Sequence, residues 1–392
     1  MLIIGRLMIG VYTSIGTSLM PIFIQELAPP NIKGALSCFV HIAVCGGSAL
    51  GAILSIDFIL GNKHTWHILL ALPAIFGFAQ VILGIMLPDS PNHLLDSGDK
   101  RSAIRSIKFY YCFQNFDDDV AIQEYQQLVT HLPKQISVSK AFKEPKTRKG
   151  ILLGMVVSFT QVFCGSMATV AYSTAMFTSV SFTKVLVPYM PALGSLFSIL
   201  LTLPALRLVE TCGRKPLLIN TLILCALANF MLMGFSLVSQ QLGVTWSSIG
   251  FTLAFFIFGL GYNLGTGPVS YFIPAELVRP EAAGVSLGCA VAVNWLSAMI
   301  TTLIYYPLNV QVGGYSYLLF AIPTVWNIRI VKKKYCTGTK DSNISTYHCI
   351  ETQQYEEDRA IKFDFIQRWS AVVMHKLQSF FVNDQKYAKF SL

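Results

Sequence analysis

Eight long apolar stretches set the main limit on how this chain of 392 residues can fold. About 20 apolar residues in a helix cross the hydrocarbon core of a bilayer, where backbone groups must be hydrogen-bonded within the helix. A shorter ninth stretch, 313–328, ends just before a basic cluster. The sequence therefore predicts an all-α membrane protein with eight or nine transmembrane helices. The eight long stretches cover 2–24, 34–60, 67–87, 150–177, 185–209, 216–238, 246–274 and 282–307.

Charge is scarce and unevenly placed. Charged residues make up 12% of the chain, whereas soluble proteins carry about 25%. The charged residues are concentrated in 89–149 and 327–392, and the formal net charge of the chain is +9. Lys and Arg beside membrane spans mark cytoplasmic loops, so we expect loop 89–149 in the cytoplasm and no nucleic-acid partner. The same rule places several basic turn residues inside, namely Lys33, Arg207, Arg214, Lys215 and Arg279.

The long polar loop divides the spans into three and six. We predict a partial N-terminal bundle at 1–88, a cytoplasmic helical loop at 89–149, a C-terminal bundle at 150–328 and a cytoplasmic tail at 329–392. The loop is either a plain linker or a small domain with helices near 100–111 and 117–131. In the tail, apolar residues at helical spacing favour equally an amphipathic membrane-surface helix at 363–381 or a packing face.

No pattern in the chain indicates a metal, a cofactor or catalysis. The nine cysteines form no CxxC pair and lie mostly in apolar runs, so neither a zinc site nor a disulfide framework is indicated. His64 and His67 flank Trp66 in a short turn, where a structural role is favoured over metal binding. There is no nucleophile–base arrangement and no phosphate-binding loop. We expect no metal, no cofactor and no enzymatic activity.

A short internal repeat joins the two parts of the chain. The segment that begins at Ile22 matches the segment that begins at Phe272, with an offset of 250 residues. Each copy ends one span and leads into the next. A parallel repeat of this kind is typical of transporters built from two related halves. The matched pairs are Glu26 with Glu276, Leu27 with Leu277, Pro30 with Pro280 and Gly34 with Gly284.

Several motifs follow one another in a fixed order along the spans. They are Gly5-Arg6, Glu26 with Lys33-Gly34, Pro88-Asp89-Ser90-Pro91, Gln161, Tyr172-Ser173-Thr174, Glu210 with Gly213-Arg214-Lys215, Gly265-Thr266-Gly267-Pro268, Glu276 and Asn294-Trp295. In this order the chain resembles the facilitative glucose transporters, sugar porters of the major facilitator superfamily, over about residues 2–326. The resemblance implies a major facilitator-type helical bundle, with eight or nine of the family's twelve helices present and the N-terminus truncated.

The resemblance also implies a function. It predicts a uniporter that moves a hexose by alternating access, in the plasma membrane. A sugar presents hydroxyls and apolar faces, so its site needs uncharged amides and aromatic rings in mid-membrane. A polar amide in a span is costly and should face the bundle interior; an interhelical hydrogen bond is the alternative role for Gln161. The predicted substrate-binding residues are Gln161, Asn294, Trp295, Tyr271 and His41.

Acidic and basic residues recur at the predicted cytoplasmic helix ends. Ion pairs between helices there would close the inner side of the carrier and break when the bundle rocks. Simple interfacial anchoring of Lys and Arg is the alternative; for Arg6, near the outer end of a span, snorkelling is the alternative. The predicted gating residues are Glu26, Lys33, Glu210, Arg214, Glu276, Arg279 and Arg6.

Some positions depart from the family pattern. The family's usual amide or acidic residues are replaced by His41, Val162, Met167, Ser198 and Asn263, its Trp by Tyr271 and its Arg by Asn92. Each lost hydrogen bond to a ligand costs about 1 kcal/mol. A carrier for another small polar solute is therefore one alternative. A truncated, non-transporting paralogue or fragment that acts as a binding or interaction protein is a second, and a receptor or channel is a third.

Overall fold

The computed structural model describes most of the chain. The described residues are 2–28, 33–111, 118, 120, 122, 123, 125, 136–180, 183, 186–242 and 245–340; within them the side chains of 25, 33–35, 210, 245 and 334–340 are not described. The described part is helical and contains no strand, which confirms the all-α prediction. The predicted amphipathic helix at 363–381 lies outside the described residues, and so does most of the predicted helix at 117–131.

Long helices account for most of the described chain. The first group comprises α1 (Leu2–Leu27), α2 (Lys33–Leu54) and α3 (Trp66–Met86), and three short helices follow in the polar loop, α4 (Pro91–Asp96), α5 (Lys100–Tyr111) and α6 (Val138–Lys143). The second group comprises α7 (Pro145–Gln161), α8 (Met167–Ser179), α9 (Met190–Thr211), α10 (Arg214–Leu242), α11 (Thr245–Gly261), α12 (Gly267–Glu276), α13 (Ala283–Val312) and α14 (Leu318–Lys340). Two π-helical segments, Val162–Ser166 and Tyr262–Thr266, join α7 to α8 and α11 to α12.

Eight segments of the described chain are long and apolar enough to cross a membrane. The last of these, Pro280–Lys333, contains two helices, because the 3₁₀ turn Gly313–Tyr317 separates α13 from α14. The bounds of the predicted ninth span, 313–328, are wrong at both ends, because the observed helix begins later and ends later in the sequence. The helix begins at Leu318 and continues through the basic cluster to Lys340, since Lys and Arg are good helix formers and their side chains can extend into water.

The second group of helices encloses the main core. One cluster of buried side chains lies toward the end of the bundle that carries Arg214, Glu276 and Arg279, named here the basic end, and includes Val157, Leu222, Phe272 and Ile273. A second cluster includes Met176, Phe177, Phe251, Tyr305 and Phe320. Apolar side chains that point away from these clusters are exposed in the absence of lipid, as expected of helices whose outer faces meet hydrocarbon.

The first group contributes one buried helix. In α2 the side chains of Cys38, His41, Cys45 and Ala49 are buried at helical spacing, and this stripe packs against α9 and α12. By contrast α3 has no buried residue. It is linked to α1 by the Tyr12 hydroxyl, which donates to Gln80 Oε1. α2 thus makes the most extensive contacts between the first group and the second, and α1 adds a smaller contact with α13.

The polar loop packs onto the basic end of both groups. The Tyr111 hydroxyl of α5 donates to Leu27 O at 2.6 Å, at the end of α1. Farther along, the Ile136 amide donates to Glu281 O at 2.9 Å, between α12 and α13. The loop therefore contacts the last turn of α1 at one place and the α12–α13 connection at another.

Candidate functional site

Two helix breaks position the candidate site. The π segment after α7 contains Gly165, whose φ of 105° suits glycine alone. The π segment after α11 contains Gly265, where an added Cβ would lie 2.7 Å from Thr221 Oγ1. Such segments interrupt the regular hydrogen-bond ladder and are frequent at functional sites. Each places a polar amide at the break, Gln161 at the first and Asn263 at the second.

The two amides predicted to bind substrate contact each other. Asn294 Nδ2 of α13 donates to Gln161 Oε1 at 2.8 Å and to Ser158 O at 3.3 Å. Gln161 Nε2 donates to Gly267 O at 3.2 Å and to the Tyr262 hydroxyl at 3.4 Å. Gln161 is 3% exposed. The pair therefore joins α7, α13 and the second helix break through uncharged hydrogen bonds.

The amide pair lines a recess between α1, α7, α12 and α13. In this conformation its free volume is only about 10 Å³, room for about one water molecule, so the helices must move apart before a ligand of about 300 Å³ or more could enter. Its lining contains only uncharged side chains, namely Thr17, Ser158, Gln161, Ser270, Tyr271, Leu287, Ala290, Val291 and Asn294.

The other predicted binding residues differ in position. Tyr271 lines the recess, with its side chain within hydrogen-bonding reach of Gln161. His41 is not a lining residue, but its ring centroid lies 5.9 Å from that of Tyr271. Trp295 is 38% exposed on α13 and is not among the lining residues. The structure thus brings Gln161, Asn294 and Tyr271 together at the recess. His41 contacts Tyr271 without lining the recess, and Trp295 is not part of the lining.

His41 belongs to a neighbouring polar cluster. Its Nε2 lies 3.2 Å from Asn263 Oδ1 and 3.5 Å from Cys45 Sγ. Asn263 Nδ2 donates to Ser198 Oγ at 3.0 Å and to Gly259 O at 2.8 Å. Three of the departures from the family pattern, His41, Ser198 and Asn263, therefore lie next to one another.

The predicted gating residues lie at the basic end, with one exception. Arg214 Nε lies 3.6 Å from Glu276 Oε2, which links the start of α10 to the end of α12. Arg279 Nη1 lies 3.2 Å from Glu144 Oε1, which precedes α7. Both ion pairs join residues that are distant in sequence. Arg6 lies exposed in the second turn of α1.

The remaining gating residues are less well defined. Glu26 is half-buried in the last turn of α1. Lys33 begins α2 and Glu210 lies near the end of α9, but their side chains are outside the described part of the chain. The gating role of all seven residues stays a prediction.

Three contributors were missing from the sequence prediction. Thr17 lines the recess from α1, Cys45 contacts His41 and Glu144 pairs with Arg279. The i, i+4 spacing of Thr13 with Thr17, and of His41 with Cys45, places each pair on one helix face and was a usable signal. Glu144 gave no comparable signal. Within the described residues, no group of three or more His, Cys, Asp or Glu side chains could hold a metal ion.

Paired broken helices around an uncharged recess in a multi-pass membrane bundle are typical of the transporter class of membrane protein. The sequence model of the family described as "Sugar (and other) transporter" matches residues 1–341. The chain therefore belongs to the sugar transporter family.

Individual relatives agree with this assignment. The chain is 28% identical over 326 residues to facilitated glucose transporter member 2 of Rattus norvegicus, and 26% identical over 325 residues to member 1 of Gallus gallus. These alignments cover 82% of this chain and 61% and 65% of the relatives. The chain thus spans about three fifths of the length of such relatives.

Solved structures show the same fold. The proton:xylose symporter XylE bound to 6-bromo-6-deoxy-D-glucose superimposes with a TM-score of 0.63 at 21% identity, covering 81% of this chain and 67% of XylE. The inward-open form of XylE from E. coli gives a TM-score of 0.58, covering 80% and 64%. The fold is therefore that of the major facilitator superfamily.

Proposed function

We propose that this chain carries a hexose, or a closely related sugar, across the membrane by alternating access. The amide pair Gln161–Asn294 in the uncharged recess carries the proposal, supported by membership of the sugar transporter family. Sugar hydroxyls both donate and accept hydrogen bonds. Amide side chains offer both functions without a charge that would have to be desolvated.

Binding would exchange hydrogen bonds within the recess. Both amides are now bonded to protein atoms, so a sugar hydroxyl would replace the 2.8 Å contact between Asn294 Nδ2 and Gln161 Oε1. Tyr271 would supply an aromatic face, and Thr17 would add a hydroxyl from α1. Exchange rather than loss of hydrogen bonds keeps each buried polar group paired, which avoids a cost of about 1–3 kcal/mol for each group left unpaired.

We further propose that transport is passive. Among the described residues, the lining of the recess contains no acidic or basic side chain, so this part of the site offers no charged group to bind a coupling ion. The named relatives include facilitated transporters as well as a proton symporter. The ion pairs Arg214–Glu276 and Arg279–Glu144 would hold the basic end closed in one state, and we propose the plasma membrane as the site of action.

Uptake of radiolabelled hexose in yeast that lacks its own hexose carriers tests the proposal. We expect saturable, non-concentrative uptake that is reduced strongly in Gln161→Ala and Asn294→Ala. Ser195→Ala is the matched control, because among the described residues the Ser195 hydroxyl donates only to Pro191 O of its own helix. No uptake despite confirmed surface expression would contradict the proposal for this chain. Uptake of sugar against its own concentration gradient, lost when the proton gradient is dissipated, would contradict passive transport.

A further inference from the structure

Basic side chains are concentrated where the polar loop ends and α7 begins. Residues 140–149 contain five Lys or Arg and a single acid, Glu144. That acid already has partners, because Glu144 pairs with Arg279 and accepts a hydrogen bond of 2.7 Å from the Thr147 hydroxyl. All five basic side chains are exposed. They are named here the basic patch and comprise Lys140, Lys143, Lys146, Arg148 and Lys149.

The basic patch is held against the bundle by apolar packing. Ala141 of α6 is fully buried and lies in one cluster with Ile151 of α7 and with Val278 and Ala282 from the α12–α13 connection. The two lysines of α6 are exposed on either side of this buried alanine in the sequence. The cluster therefore fixes α6 beside the first turns of α7 and brings the basic residues of both helices onto one part of the surface.

Helix α7 places the patch at the level of the membrane surface. Thr147 and Ile151 are buried four residues apart and mark the inner face of the helix. Leu152 is 49% exposed, as expected of a side chain that faces lipid. Arg148 and Lys149 precede Leu152 by four and three residues, so they share its helix face about 5 Å nearer the helix start. Long basic side chains at that depth extend into the headgroup layer.

The position of these cations within α7 is unfavourable for the helix alone. The start of a helix carries the positive end of its dipole, and the first turn of α7 contains no acid. At the start of α10, by contrast, Arg214 Nε lies 3.6 Å from Glu276 Oε2. Among the described residues, no acid forms an ion pair with a side chain of the basic patch. The positive-inside rule explains basic residues in the loop but does not require them in the first turn of a helix.

We propose that the basic patch binds the phosphate groups of anionic phospholipids in the leaflet at the basic end. Clusters of this size beside a transmembrane helix attract anionic lipids, which are concentrated in the cytoplasmic leaflet. Lys and Arg both form charge-assisted hydrogen bonds with phosphate. A lipid fits better than a soluble phosphate compound, because Leu152 offers an apolar contact for acyl chains directly beside the cations. This site is separate from the sugar recess and does not depend on transport.

Thermal unfolding in two lipid compositions tests the proposal. The full-length chain is placed in nanodiscs of phosphatidylcholine alone and of phosphatidylcholine mixed equally with phosphatidylserine. The patch variant combines Lys146→Gln, Arg148→Gln and Lys149→Gln. In phosphatidylcholine we expect this variant to unfold at the same temperature as the unmodified chain or higher, because cations leave the positive end of α7. In the mixture we expect the unmodified chain to unfold about 2 °C or more above the variant. Such a reversal of order cannot result from misfolding.

A binding measurement in neutral detergent gives the affinity directly. The probe is short-chain phosphatidylserine with a fluorophore on one acyl chain, followed by anisotropy. We expect its affinity to fall by about tenfold or more in the patch variant and to weaken for the unmodified chain at high salt. The matched control combines Lys100→Gln, Arg101→Gln and Arg105→Gln. It removes the same charge from exposed positions of α5 and should leave the affinity nearly unchanged.

Competition with unlabelled compounds identifies the ligand. Displacement of the probe by short-chain phosphatidylserine, but not by phosphatidylcholine or by soluble glycerophosphoserine, supports the proposal. Equal displacement by phosphatidylcholine would show binding of acyl chains only, and equal displacement by glycerophosphoserine would show a site for soluble phosphate compounds. An equal loss of affinity in the patch and control variants would show attraction to the overall charge. Each of these last three results contradicts a lipid site at the basic patch.

Discussion

At the residue scale, polar side chains bond to backbone carbonyls that the helix breaks leave free. Asn229 Nδ2 donates to Cys164 O at 2.8 Å, inside the first π segment. The hydroxyls of Ser239 and Ser248 both donate to Val180 O, at 3.0 and 2.6 Å, where α8 ends. Carbonyls at a helix end lack an intrahelical donor, and lipid supplies none. These polar residues therefore stabilise the breaks as well as the contacts between helices.

Tyr111→Phe tests a contact of the polar loop. The change removes the hydrogen bond to Leu27 O and should lower stability by about 1 kcal/mol. Burial raises the pKa of Tyr111 in the folded chain, so the stability from its protonated form is present below the unfolded pKa of about 10 and is lost only above it. The decrease in stability caused by Tyr111→Phe should therefore be the same at every pH from about 6 to about 9.

The measurement is the thermal unfolding midpoint of the purified chain at several pH values. Tyr315→Phe is the control, because Tyr315 is 49% exposed in the turn between α13 and α14. If the difference in unfolding midpoint between Tyr111→Phe and the unmodified chain changes across this pH range, the stabilising role of the hydrogen bond from the Tyr111 hydroxyl to Leu27 O is wrong.

At the element scale, the two π segments decide where the long helices bend. Each interrupts a segment that would otherwise be one continuous span, Pro145–Ser179 in one case and Trp246–Glu276 in the other. The first places Gln161 at the recess and the second places Asn263 beside His41. A regular helix would place these side chains at other angles, since a π segment adds a residue to one turn.

Gly165→Ala tests the first break. Gly165 has a φ of 105°, and an added Cβ would lie 3.3 Å from Phe320 Cγ. A residue with a side chain pays about 1–2 kcal/mol in such a left-handed conformation. We expect a lower unfolding midpoint and reduced uptake. In Gly234→Ala, on regular helix α10 with no atom near the added Cβ, we expect equal or higher stability; equal behaviour of both variants would exclude strain at the break.

At the scale of the whole molecule, ion pairs join segments that are distant in sequence at the basic end. The start of α10 meets the end of α12 through Arg214 and Glu276, and the residue before α7 meets the α12–α13 connection through Glu144 and Arg279. Exposed ion pairs contribute only about 0.2–1 kcal/mol each. Such weak pairs would suit the proposed latch, which has to open during the proposed transport cycle, whereas the buried clusters between helices maintain the fold.

A charge exchange tests the latch. Arg214→Glu places two carboxylates together, and we expect maximal uptake to fall while the unfolding midpoint changes little. The double exchange Arg214→Glu with Glu276→Arg restores opposite charges and should recover part of the uptake. Glu281→Gln, a nearby acid outside both ion pairs, is the control. A double variant as impaired as the single one would show that attraction between these two positions does not control transport.

The sequence alone determined the class of the fold, because apolar runs of span length and sparse charge permit only membrane helices. It also singled out Gln161 and Asn294, since a polar amide in a span is costly and needs a reason, whereas Trp295, Tyr271 and His41 were added through the resemblance to the glucose transporters. Only the tertiary structure decided which of these residues meet, because the contacts join positions 133 residues apart in Asn294 and Gln161 and 222 apart in His41 and Asn263. No local pattern specifies such contacts: the helix breaks and the packing of α2 against α9 and α12 set them.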